Sequence, residues 1–354
     1  MRIHRLGWVT LGLCVAAALS VLAAGCDRGD SGAGGGGSPT TGASGGGAKP
    51  RVAYITNGVD PFWVIAEKGV QDGGREHNAE VTVLFPTGGP GDQKQKVEDL
   101  LVRGIEGIAI SPIDAKNQTL TINQAAAKTN VITHDSDAPE SNRLMYIGMD
   151  NYEAGRMAGQ LVKEAVPAGG KVAIFIGRLE QDNGRLRHAG VVDELMDRPR
   201  DDNRREDAGR EIKNDKFTIV ATLTDQLDPN KAKSNAEDIL SAHPDLACMI
   251  GLFASNPPMC LEALRGAGKL GKVAVVGFDE QDGTLQAIKD GTCHGTVVQN
   301  PYMYGKESVR VLAALARDDK SVIPENKFMS IPARQIRKDN VDAFWADLKQ
   351  KTGK

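Results

Sequence analysis

Carboxylates, amides, hydroxyls and aromatic rings recur along this chain at one kind of place, just past short apolar runs. In order they are Thr56, Asp60, Phe62 and Trp63, then Ser111 and Asp114, then Asp135 and Ser136, then Asn256, Phe278 and Asp279, and Gln299. Carboxylates and amides offer planar pairs of hydrogen-bonding atoms, and a ring offers a flat apolar face. Together they suit a small hydroxyl-bearing molecule. Bond-making chemistry asks for other groups, such as a nucleophile paired with a base, a Gly-x-Ser-x-Gly elbow or metal-spaced Cys and His. No such elbow joins an expected strand to a helix, and no such spacing occurs. Thr87-Gly88-Gly89-Pro90-Gly91 lacks the phosphate-loop pattern and reads as a turn. A hydrolase built on Asp60 and Asp135 is the competing enzymatic reading.

Each position also has a plainer role. Phe62 and Trp63 would open a core-packing helix, although adjacent helical residues cannot both face one core. Asp135 would cap a helix or shape a turn. Asn256, ahead of Pro257-Pro258, would cap the next helix, and Gln299 would belong to a hinge. Thr56 and Asp60 would set a turn before Pro61. His134 reads as a packed residue at a strand end.

The elements that must hold these residues alternate regularly. Strands are expected over 52–55, 81–85, 105–110, 131–133 and 146–148, with helices over 62–77, 93–103 and 117–129 between them. The pattern then restarts. Helices are expected over 153–165, 183–195, 230–242, 259–267, 284–289 and 304–316, and strands over 171–176, 217–222, 248–252, 273–277 and 295–298. Short apolar strands separated by longer helices imply α/β architecture with parallel sheets covered on both faces. Two rounds of one winding mean two doubly wound lobes. In such sheets ligands sit outside the carboxyl ends of the strands, where the polar set falls. The charged stretch 198–216 reads as a solvated surface insertion.

The chain of 354 residues is long enough for two domains. Its net charge of −3 gives no basic face for nucleic acid. Arg2 and Arg5 precede an uncharged apolar run over 6–24 and then Leu22-Ala23-Ala24-Gly25-Cys26. This resembles a lipoprotein signal, with Ala23 where a Leu is usual, and makes Cys26 the expected lipidation site. An uncleaved membrane anchor is the alternative. Either places the rest of the chain outside the cytoplasm. Residues 27–50, ten of them glycine, read as a tether with a span of roughly 27 Å. Cys248, Cys260 and Cys293 are expected as buried free thiols, with one disulfide possible.

Larger pieces of sequence point to a family. Asp60-Pro61-Phe62-Trp63, Ser111-Pro112, Val131-Ile132-Thr133-His134-Asp135, Asp150-Asn151 with Ala154-Gly155, Val275-Val276-Gly277-Phe278-Asp279 and Val297-Val298-Gln299-Asn300-Pro301 follow one another in order. From about 51 to 332 the chain resembles the bacterial periplasmic sugar-binding proteins of the ribose-binding type, which have the type I periplasmic binding fold. The resemblance implies ligand contacts from Thr56, Asp60, Phe62, Trp63, Ser111, Asp135, Ser136, Asn256, Asp279 and Gln299. It adds Arg187, with Arg185 as a close competitor. Departures are also visible. Asp60 and Ser111 each stand where the family has Asn, Ser136 where the ribose binder has Arg, and Leu227 where it has an aromatic. These make ribose itself doubtful and leave a pentose, hexose or cyclic polyol.

The resemblance further implies three crossovers between lobes. One lobe would hold 51–149 and 300–328, the other 150–299 and 329–354, with hinges at Asp150-Asn151, Gln299-Asn300 and about Met329. The expected protein is a monomer without cofactor or metal that closes over a sugar and delivers it to an ABC permease. A sensor subunit read by a chemoreceptor or kinase is the alternative. A repressor built on the same core would need an N-terminal helix-turn-helix, and residues 1–50 do not read as one.

Overall fold

Along the first strand the side chains alternate between two apolar layers, and this period-2 pattern organises each half of the molecule. In the computed structural model, which describes residues 48–353, β1 (Arg51–Ile55) is followed by α1 (Pro61–Glu76), β2 (Glu80–Leu84) and α2 (Gly89–Val102). Next come β3 (Gly107–Ile110), α3 (Thr119–Ala126), β4 (Asn130–His134) and β5 (Tyr146–Gly148). Val52 and Tyr54 pack into one cluster with Ala66, Val70, Ile132 and Ile147. Ala53 and Ile55 pack into another with Val97, Leu100 and Ile122. A strand buried on both faces has to be apolar throughout, and β1 is from Val52 on.

The second half repeats the scheme. It runs α4 (Asn151–Ala165), β6 (Gly170–Ile176), α5 (Asp182–Leu195), β7 (Ile212–Lys213), β8 (Phe217–Thr224), α6 (Pro229–Ala242) and β9 (Leu246–Gly251). α7 (Asn256–Gly266), β10 (Ala274–Phe278), α8 (Asp282–Asp290) and β11 (Gly295–Val298) complete it. Val172, Ile174 and Ile176 of β6 face one core, and Ala173 and Phe175 the other. The chain then returns through α9 (Pro301–Leu315) and β12 (Phe328–Ser330), and ends with β13 (Arg334–Ile336) and α10 (Val341–Thr352).

Among the described residues the first sheet has the order β12-β5-β4-β3-β1-β2 and is wholly parallel. The second has the order β13-β11-β10-β9-β6-β8-β7, with antiparallel edges at β13 and β7. α9 packs against α1 of the first lobe and α4 against α5 of the second, so the chain passes between lobes after β5, after β11 and after β12.

Three sequence expectations need correction. The final return was placed at Met329, but Met329 and Ser330 pair with Ile147 and Gly148, and the first lobe keeps the chain through Ser330. The Thr87–Gly91 turn is only partly a turn. α2 begins at Gly89 because Pro90 suits a first helical turn, and the Asp92 carboxylate accepts the N–H groups of Thr87 and Gly88. The charged insertion is also built into the lobe. Ile212 pairs with Ile219 and joins the core, while Arg200 reaches Asp150, Arg198 reaches Glu206 and Arg204 reaches Asp193. Part of its charge is spent on ion pairs within the stretch and to Asp150 and Asp193, which hides its structural role from composition alone.

Candidate functional site

The carboxyl ends of both sheets meet at a narrow cavity of about 40 Å³ between the lobes. Asn57, Asp60, Phe62, Trp63 and Asp135 line it from the first lobe. Asn183, Arg187, Leu227, Phe253, Ala254, Ser255, Asp279 and Gln299 line it from the second.

The aromatic wall is set by the start of α1. Asp60 caps the helix by accepting the Phe62 N–H at 3.0 Å, and Pro61 occupies the first turn. Phe62 and Trp63 then meet edge to face, with centroids 4.8 Å apart at 89°. Trp63 also leans edge-on against His134, which stacks on Tyr54 at 3.8 Å. The buried His134 ring donates from Nε2 to the Ile55 carbonyl, and burial pushes its pKa down to about 3. It is a neutral packing group, as its strand-end position suggested.

Asp135 and Asp279 follow β4 and β10 with φ of 57° and 66°. Left-handed backbone is uncommon for residues with a Cβ, and Asp tolerates it better than most. These turns bring both carboxylates to the cavity wall. Asp135 Oδ2 accepts from Ser111 Oγ at 2.9 Å, Asn57 Nδ2 at 3.2 Å and Asn183 Nδ2 at 3.1 Å. The last of these bonds crosses the cleft. Asp279 Oδ1 accepts from Gln299 Nε2 at 2.7 Å, and Tyr304 donates to Gln299 Oε1.

Arg187 is 1% exposed and held on every side. Its Nε donates to Asn151 Oδ1 at 2.9 Å and its Nη1 to the Leu252 carbonyl at 3.2 Å. Its plane lies over Phe278 at 4.3 Å and near Phe253 at 5.3 Å. Nη2 stands 3.7 Å from Asp135 Oδ1, too far for a hydrogen bond, and has no other partner. Gly155 and Gly190 make this placement possible. A Cβ on Gly155 would run into the Arg187 carbonyl, and one on Gly190 into that of Tyr152. Only bare backbone lets α4 and α5 approach so closely. Arg185, the competitor, turns to Asp182 and the Asp202 carbonyl and does not line the cavity.

Burial raises the carboxyls of Asp135 and Asp60 above the ordinary range, opposed by Arg187 for the first and the Phe62 N–H for the second. Asp279 is pushed up to about 7 by burial, against the pull of Arg187 and the Gln299 amide. A carboxyl poised there accepts or donates a hydrogen bond according to what it meets.

Seven of the eleven expected ligand residues therefore line one cavity, namely Asp60, Phe62, Trp63, Asp135, Arg187, Asp279 and Gln299. The other four stand behind it. Thr56 donates to the Gly58 carbonyl and closes the turn after β1. Ser111 spends its hydroxyl on Asp135. Ser136 is buried with its Oγ unpartnered and is not on the wall. Asn256 accepts the Phe253 N–H and donates to Asp225 Oδ2, fixing the loop that carries Phe253 to Ser255. Asp114 turns to Asn117.

Sequence reasoning missed Asn57, Asn183, Phe253, Ala254 and Ser255. Asn57 is one residue past Thr56, and strand pleating sends neighbours opposite ways. Phe253 carried a readable signal, as a ring two residues beyond β9 in a chain with only 5% aromatics. Asn183 lies in the first turn of α5 and carried none.

Two α/β lobes with facing carboxyl ends and a polar, ring-walled cavity between them define a two-lobed solute-binding protein. A family model described as a periplasmic binding protein domain matches residues 52–320, and the chain belongs to that family. It is similar to the ribose import binding protein of Salmonella typhimurium, with 29% identity over 279 residues covering 77% of this chain and 87% of that one. The D-allose-binding periplasmic protein of Escherichia coli is 25% identical over 283 residues, covering 76% and 84%. An ABC transporter solute-binding protein from Burkholderia graminis, solved with D-arabinose, superimposes with a TM-score of 0.74 at 29% identity, covering 83% and 97%.

Proposed function

We propose that this protein captures a monosaccharide or cyclic polyol outside the cytoplasm and delivers it to an ABC permease, without acting as an enzyme. One observation carries the reading. The Phe62–Trp63 wall of one lobe and the Arg187, Asp279 and Gln299 forks of the other line the same cavity. A ring stacked on the wall keeps its hydroxyl edges free for those forks. The proposed contacts are Asn57, Asp60, Phe62, Trp63, Asp135, Asn183, Arg187, Phe253, Ser255, Asp279 and Gln299. Thr56, Ser111 and Asn256 support them from behind.

The ligand touches both lobes only when they are closed, so it favours closure by differential affinity. The proposed lobes are 51–149 with 300–330 and 150–299 with 331–354, hinged after β5, β11 and β12. A permease would then distinguish loaded from empty protein by shape. Names of relatives that bind ribose, allose and arabinose support the ligand class. Lipid attachment at Cys26 belongs to the same proposal, although Cys26 lies outside the described residues. Cys26→Ser should release the protein from membranes, and unchanged membrane partitioning would count against it. The function itself is tested by calorimetric titration against a broad panel of neutral and charged sugars and polyols. Saturable binding of one supports the proposal, and binding of none overturns it.

A further inference from the structure

The cavity is unbalanced in charge. Asp60, Asp135 and Asp279 line it against one guanidinium, that of Arg187. Glu280, next along the chain from Asp279, is only 4% exposed, and neither of its oxygens has a hydrogen-bond partner. Arg178 sits at the rim with its Nη1 on the Asn57 carbonyl and does not line the cavity. Glu280 does not line the cavity, and counting Arg178 still leaves three lining carboxyls against two cations.

The internal pairing shows where that excess falls. Asp135 takes three hydrogen bonds on Oδ2, from Asn57, Ser111 and Asn183, and its Oδ1 faces the guanidinium of Arg187 at 3.7 Å. Asp279 spends Oδ1 on Gln299, and Asp60 spends Oδ1 on the Phe62 N–H. Among the described residues no hydrogen bond reaches the second oxygen of either. Carboxylates withdrawn from water without a counter-charge, Asp279 buried and Asp60 half-buried, are costly and are relieved by a proton or a bound cation. Beside these oxygens, Arg187 Nη2 and Ser255 Oγ are buried on the same wall without partners. Polar atoms left unpaired on a cavity wall point to a ligand that completes them.

We propose that the ligand is a cationic sugar, an amine-bearing ring whose ammonium lies between Asp60 and Asp279 and whose hydroxyls meet Arg187 and Ser255. The inference rests on reading the cavity as a sugar site and narrows its substrate class. An ammonium donates three hydrogen bonds and brings the missing charge. A neutral sugar donates hydroxyl hydrogen bonds to the same carboxylates but brings no charge, and so leaves the excess in place. An acidic or phosphorylated sugar adds to the repulsion and is excluded.

The test titrates the full-length protein calorimetrically with matched pairs, D-glucose with D-glucosamine, D-galactose with D-galactosamine and D-mannose with D-mannosamine, together with the corresponding uronates. At least one amino sugar should bind tenfold or more tightly than its neutral partner, and no uronate should bind. Asp60→Asn keeps a helix-capping side chain, so the fold is retained. In this variant, or in Asp279→Asn, the amino-to-neutral preference should fall at least tenfold. Neutral sugars binding as tightly as their amino partners would overturn this inference alone and leave sugar capture standing. A preference unchanged in both variants would also overturn it. Binding of no sugar, neutral or amino, would overturn both.

Discussion

Asp135 and Asp279 occupy the same place in the two halves of the molecule. Asp135 follows β4, which lies between β3 and β5, and Asp279 follows β10, which lies between β9 and β11. Both have left-handed backbone, and both donate their N–H to the neighbouring strand, Asp135 to Ile147 at 3.1 Å and Asp279 to Val297 at 2.7 Å. One local turn, used twice, brings a carboxylate from each lobe to a shared cavity. The surroundings then separate them, since Asp135 collects three donors, one of them from across the cleft, and Asp279 chiefly one.

That difference gives closure a pH dependence. Asp279, Glu280, Asp135 and Asp60 are all raised by burial, Asp279 to about 7. Opening the cleft rehydrates them, so the closed form holds more protons than the open form between the ordinary carboxylate range and about pH 7. Closure is then favoured as pH falls below 7 and disfavoured as it rises. Small-angle scattering of ligand-free protein should give a smaller radius of gyration at pH 5 than at pH 8. The difference should shrink in Asp279→Asn.

The cross-cleft bond from Asn183 to Asp135 is one of few fixed links between the lobes near the cavity. Asn183→Ala removes it and should shift ligand-free protein toward the open form by about 0.5–1.5 kcal/mol. Scattering would show the expansion, and unchanged dimensions would mean that the bond does not hold the cleft.

Arg187 is tied into the second lobe and stands beside Asp135. Arg187→Met leaves Asp135 buried without its cation, and the expected cost is about 3–5 kcal/mol in stability. Denaturant titration reads this directly. Losses below 1 kcal/mol would show that Asn57, Ser111 and Asn183 alone satisfy Asp135.

Trp63 is both wall and core. Trp63→Ala should cost about 3–5 kcal/mol of stability through the cavity it leaves beneath Tyr54 and His134. Phe62→Ala tests recognition separately, with an expected loss of about 1–3 kcal/mol in sugar affinity.

Much of this architecture was legible because strands buried on both faces must be apolar, and β1, β6 and β10 are nearly so. The strand-end rule then located Asp135, Asp279 and Gln299 directly. It failed by one residue at β1, where Thr56 serves the turn and Asn57 the cavity. It also misjudged Ser111 and Asn256, whose types suit a ligand but whose hydrogen-bonding capacity is taken up by Asp135, Asp225 and backbone. Spacing shows which residues stand near a site, whereas competition among polar neighbours decides which remain available. Asn183 depends on how α5 is tilted by the Gly155–Gly190 approach, a tertiary effect with no local signature.

The account turns on one ring lying between the two lobes, and a crystal structure of the protein with the tightest-binding sugar tests this most directly. The expected density is a single ring against Phe62 and Trp63, with its polar edge within hydrogen-bonding distance of Arg187, Asp279 and Gln299. Density for the sugar elsewhere on the protein, with the cavity between the lobes holding only solvent, would contradict it.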